Sequence, residues 1–96
     1  MLQLRLTPRA RKDLDGIWFH STQEWGRDRA EAYVRAIDKA FSLLALNPGI
    51  ARDASAVRPG LLKYSVGSHI IFCRVGDGKL RVVRILHQRM DFGRHL

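Results

Sequence analysis

The chain has 96 residues, 46% of them hydrophobic and 27% charged, with a formal net charge of +8. That length supports one core and a single domain spanning residues 1–96, and the apolar content excludes a chain that stays disordered. Even the longest apolar runs, such as Ile70-Ile71-Phe72-Cys73, are far short of the roughly 20 residues of a membrane helix, so no membrane role is expected.

Leu2, Leu4 and Leu6 alternate with Gln3, Arg5 and Thr7, which predicts a strand with one buried and one wet face. Thr7-Pro8 then predicts a helix entry, the hydroxyl capping a free amide and the proline occupying a position that needs none. Ala10, Leu14, Ile17, Trp18, Ser21 and Trp25 recur at spacings of three and four, so both tryptophans are expected in the core. Gly26 breaks this helix. A second stripe, Ala30, Tyr33, Val34, Ile37, Phe41 and Leu44, ends at Asn47-Pro48-Gly49 and completes a helical hairpin, with Glu31, Arg35 and Asp38 on a solvated outer face.

Residues 48–60 lack periodicity and are expected to form a loop carrying Arg52 and Arg58. Leu61–Val66 and His69–Val75 flank Gly67-Ser68, a two-residue link suited to a tight β-hairpin. Gly76-Asp77-Gly78 turns into Leu80–His87, β-branched and apolar at both parities, as in a strand inside a sheet. Met90–Leu96 reads as a tail or one helical turn.

The fold class is therefore α+β, in the order β-α-α-β-β-β, with the helical hairpin on one face of a mainly antiparallel sheet. The other face is expected to be open, with Lys63, Arg74, Arg81, Arg84 and His87 as candidates for a basic concave surface. Residues 51–96 carry nine Lys and Arg against three Asp and Glu, whereas residues 1–50 carry eight against six. A macromolecular partner, anionic or acidic, is thus expected to meet the C-terminal half.

One cysteine and four histidines give no metal-ligand spacing, and neither a phosphate loop nor a nucleophile elbow is present; no cofactor or metal is expected. Cys73 reads as a small core residue, and the absence of disulfide or export patterning points to the cytoplasm. RNA cleavage by a histidine base with arginine support stays open on Tyr64, Arg74, Arg84, His87 and Arg89.

Arg58-Pro59-Gly60-Leu61, Val66-Gly67-Ser68-His69-Ile70-Ile71-Phe72 and Leu86-His87-Gln88-Arg89-Met90-Asp91, followed by Arg94-His95-Leu96, resemble the ParE toxins of bacterial toxin–antitoxin systems. The likeness extends to Ile17-Trp18, Trp25-Gly26, Ala30-Glu31-Ala32-Tyr33 and Asn47-Pro48, in register over essentially the whole chain. It implies a RelE/ParE-like fold and a non-enzymatic toxin that poisons DNA gyrase and is neutralised in a hetero-oligomer by a ParD-like antitoxin. That antitoxin's disordered tail would fold along the toxin, with the helical hairpin and a sheet edge as docking surfaces. Sequence-specific nucleic-acid binding is not expected.

Gyrase contact is assigned to Arg84, His87, Arg89, Met90 and Arg94, and partner contact secondarily to Arg58 and Lys63. Two alternatives remain. One is a RelE-like ribosome-dependent endonuclease, against which His87-Gln88 and His69 depart from patterns of that branch. The other is a degenerate toxin that only binds its antitoxin.

Overall fold

The computed structural model describes all residues, 1–96. It begins with strand β1 (Gln3–Leu6), helix α1 (Pro8–Trp25) and helix α2 (Arg27–Leu46). A 3-10 turn (Pro48–Ile50) and a two-residue strand β2 (Arg52–Asp53) follow, then β3 (Leu62–Val66), β4 (His69–Gly76), β5 (Lys79–His87) and the terminal turn α3 (Phe92–His95). The five strands form one sheet in the order β1-β5-β4-β3-β2. β1 runs parallel to β5, and the other pairs are antiparallel. The sequence places a loop where the short edge strand β2 is found: Arg52 and Asp53 pair with Lys63 and Leu62 without any alternation to announce it.

Thr7 starts α1 as the sequence suggests. Its Oγ1 accepts from the Ala10 amide at 3.0 Å and donates to the Val83 carbonyl at 2.7 Å, capping the helix and tying it to β5. Only Gly26 separates the two helices. At their contact with each other and the sheet, Ala10, Ile17, Ile37, Ala40, Phe41 and Leu44 are buried against Ile71, Cys73, Leu80, Val82 and Ile85. Burial also raises the Cys73 thiol to about 11, consistent with a packing residue.

Trp18 and Trp25 depart from the expected core, at 38% and 43% exposure. The buried stripe of α1 is narrow, limited to Ala10, Ile17 and Ser21, and the tryptophans lie on its flanks. Leu4 is likewise 37% exposed, while Leu2 and Leu6 pack on the core.

The second face of the sheet is not open. Phe72 and Leu86 form a smaller core there with Ala54 and Leu61 of the connecting loop, and Val57, Met90, Phe92 and Leu96 pack around it. Phe92 meets Phe72 edge-on, with ring centroids 5.0 Å apart. Both faces of β5 are therefore covered, which explains why it is apolar at both parities.

β5 carries a bulge. Phe72 lies opposite Arg84 but Cys73 lies opposite Val82, so Val83 is the extra residue. β1 ends opposite Val82, and past that point α1 takes its place at the strand's edge. Asp13 accepts from Arg84 Nε at 2.7 Å, from Nη2 at 2.9 Å and from the Ile85 amide at 3.0 Å. Arg84 also donates to the His95 carbonyl at 2.9 Å, bringing the tail into the same junction. The two charged side chains are only 15% and 14% exposed.

Replacing Asp13 by alanine strands a largely buried guanidinium and a strand amide. The expected loss is about 3 kcal/mol of unfolding free energy, read as a lower urea midpoint at unchanged slope.

Candidate functional site

The largest concavity is a groove of about 510 Å³ between α1 and the end of the sheet where β4 begins and β5 finishes. One wall is two helical rows at four-residue spacing: Lys12, Gly16, His20 and Glu24, and beside them Asp13, Ile17, Ser21 and Trp25. The opposite wall is Ser68, His69, Ile85, Leu86, His87 and Met90. Lysine, histidine and acid thus rim a floor containing isoleucine, leucine, methionine and tryptophan.

His69 and His87 are cross-strand partners whose rings meet edge-on at 5.3 Å. Tyr33 of α2 anchors His69. Its hydroxyl accepts from the Ser68 amide at 3.0 Å and lies 3.1 Å from the Val66 carbonyl and 2.7 Å from His69 Nδ1. Every group is satisfied when Nδ1–H of neutral His69 donates to the hydroxyl, which in turn donates to Val66. The turn at Gly67 is shaped around this anchor: Gly67 has φ 55°, and a Cβ there would sit 2.6 Å from the Tyr33 ring.

Of the residues singled out by sequence, only His87 and Met90 line the groove. His87 Nδ1 accepts from the Arg89 amide at 3.2 Å, while the Arg89 side chain is exposed, as is Arg94. Arg84 is held by Asp13, whose hydrogen bonds raise its proton affinity above the ordinary arginine value. Arg58 donates to the main-chain oxygen of Leu96 and so helps to hold the tail. Lys63 stands across from Arg52 at the far edge of the sheet, in a depression with Tyr64 and Ile70.

The expected basic surface divides between two faces. Lys63 and Arg84 pair with Phe72 on its neighbouring strands, and Arg74 and Arg81 pair with each other at the same parity. His87 shares the parity of Ile85 and faces the helices. Sequence reasoning passed over His20, and also Asp13 and Tyr33, whose partners lie far away along the chain. Nowhere do three or more histidine, cysteine, aspartate or glutamate side chains converge as a metal-ion site.

Burial lowers the His69 pKa below the ordinary 6.5, and the nearby His87 and His20 lower it further, against a smaller opposing effect of Asp13. The unfolded chain therefore takes up this proton more readily than the folded one. Stability associated with neutral His69 is present above the ordinary value of 6.5 and is lost as pH falls through it toward the lower folded value. Thermal unfolding is expected to show a drop in midpoint from about pH 7.5 to about pH 5.5, with a shallower drop in a His69→Gln variant.

Comparison with known proteins gives a consistent result. The family model described as the ParE toxin of the type II toxin–antitoxin system parDE matches residues 4–92. Toxin ParE1 of Mycobacterium tuberculosis is 47% identical over 92 residues, covering 95% of this chain and 94% of the relative. Toxin ParE1 of Caulobacter vibrioides is 38% identical over 96 residues, covering 100% and 99%. Toxin ParE of Escherichia coli is 36% identical over 88 residues, covering 90% and 84%. In three dimensions, a chain of a chromosomal ParDE system from P. aeruginosa superposes with a TM-score of 0.79 at 22% identity, covering 91% of this chain and 96% of that one. With its strand order, helical hairpin and tail accounted for, the chain belongs to the ParE toxin family of type II toxin–antitoxin systems.

Proposed function

We propose that this toxin acts in the cytoplasm by binding rather than catalysis, stabilising the cleaved-DNA state of DNA gyrase so that replication stalls. A ParD-like antitoxin neutralises it in a hetero-oligomer. Family membership supports the gyrase reading. The observation that carries the non-enzymatic part is the separation of the groups that RNA cleavage would need. His87 faces the helices, Arg74 emerges on the other face and Arg84 is engaged by Asp13. With Arg74 and Arg84 turned away or engaged, a base at His87 forgoes part of the electrostatic stabilisation, commonly several kcal/mol, that a phosphorane-like state needs.

The groove beside α1 is the antitoxin's seat in this reading. It offers apolar contacts at Ile17, Trp25 and Met90 within a chain of net charge +8, the complement of an acidic, amphipathic segment that folds as it binds.

Purified toxin is expected to make gyrase accumulate linear DNA from supercoiled plasmid; falling translation in cells without that product would instead favour messenger-RNA cleavage. A His87→Gln variant should keep its toxicity, whereas a loss of about 100-fold or more, matched by loss of messenger-RNA cleavage, would indicate a general base. Gly16 tests the groove cleanly, because a Cβ there meets no atom within 4 Å. Gly16→Gln should leave the toxin at least as stable and weaken antitoxin binding in calorimetry by about tenfold or more.

A further inference from the structure

Three arginines stand side by side on neighbouring strands. The parallel register sets Arg5 opposite Arg81, and the antiparallel register sets Arg81 opposite Arg74. All three therefore leave the same face of the sheet, in a row that crosses β1, β5 and β4. Lys79, two residues before Arg81, adds a fourth positive charge at the same parity. Adjacent strands lie about 4.8 Å apart, so the row packs three guanidinium groups into a width of about 10 Å.

Like charges directly opposite one another destabilise a sheet. No acid relieves them: the three ion pairs of the molecule are His20–Glu24, Arg35–Glu31 and Arg84–Asp13. Asp77, in the adjoining turn, forms none. Arg5 and Arg81 are exposed and make no side-chain hydrogen bond, whereas Arg74 is steadied by donation to the Pro59 carbonyl at 2.5 Å. The row is a preformed cationic comb beyond the tail and loop that cover Phe72, and it lies on the opposite face from the groove.

The chemistry of its ligand follows from what surrounds it. The exposed large hydrophobics of these strands, Leu4 and Val75, have the opposite parity. An acidic peptide that orders on binding would gain no apolar burial here to offset its entropy. A phosphodiester backbone needs none, and guanidinium forks match its oxygens. We propose that Arg5, Arg74 and Arg81, with Lys79, form a sequence-independent contact for the backbone of double-stranded DNA. The choice of DNA as the source of that backbone rests on the gyrase reading.

The test is fluorescence anisotropy of a labelled duplex with purified toxin, titrated across salt concentrations. The triple variant Arg5→Gln, Arg74→Gln, Arg81→Gln should bind more weakly at low salt. Its salt slope should fall by about 2.7, so that it loses about 40-fold less affinity than wild type between about 50 and about 200 mM salt. Urea unfolding should show the variant folded, the repulsion removed offsetting the lost hydrogen bond from Arg74 to Pro59. The triple lysine variant should retain most of the slope. The proposal is overturned by no duplex binding at low salt, by an unchanged slope in the glutamine variant, or by tighter binding of polyglutamate or of an RNA duplex of the same sequence. Because this measurement omits gyrase, its failure is distinguishable from failure of the gyrase reading, which is scored by linear plasmid.

Discussion

Strand β5 runs past its neighbour. Once β1 has ended opposite Val82, a β-strand would offer unpaired amides and carbonyls to solvent from Arg84 onward, an edge open to wrong pairing. Asp13 closes part of it by accepting the Ile85 amide in place of a strand carbonyl, and it can do so because Arg84 neutralises it at the same point. The bulge at Val83 lets Arg84 reach this edge. From that bridge follow the position of α1 along β5, the wall of the groove, and through the His95 carbonyl the docking of the tail. The charge pair contributes less through net attraction than through the penalty any rearrangement incurs by separating two desolvated ions.

The order of elements was legible in the sequence because the major periods are clean. Alternation at Leu2-Leu4-Leu6, the three–four spacing from Ala30 to Leu44, and the glycine-bearing turns at Gly67 and Gly78 each have a local cause. The second core was not legible, for a physical reason. Val57, Met90, Phe92 and Leu96 come from irregular chain, where a side chain's direction is set by the loop's path rather than by a repeat. The tryptophans erred the other way: a helix at the sheet's margin buries a narrower stripe than one resting over its centre, and a hydrophobic flank then faces water.

The candidate site was legible in part. His87 and Met90 could be marked from residue type and position near the end of the last strand. Their facing wall could not, since Gly16, His20 and Trp25 join the histidines only when α1 folds over β5. Parity was the other obstacle. A single bulged residue, Val83, shifts the alternation of β5, so Arg81 and Arg84 share a face although their odd spacing says otherwise. Tyr33 shows the converse case, a residue read correctly as part of a helical stripe whose hydroxyl also shapes a turn on a distant hairpin.

The pairing of β1 with β5 also bears on how the molecule is made. Gln3 meets Lys79 and Leu6 meets Val82, so the first strand waits for the last before it gains a neighbour. During synthesis the helical hairpin emerges early and can form from local contacts, but the sheet beneath it stays incomplete until β5 has left the ribosome. The bridge at Asp13, the histidine wall of the groove and the arginine row all draw on β5. A nascent chain therefore carries none of these surfaces in finished form, and acquires them together in the final step of closure.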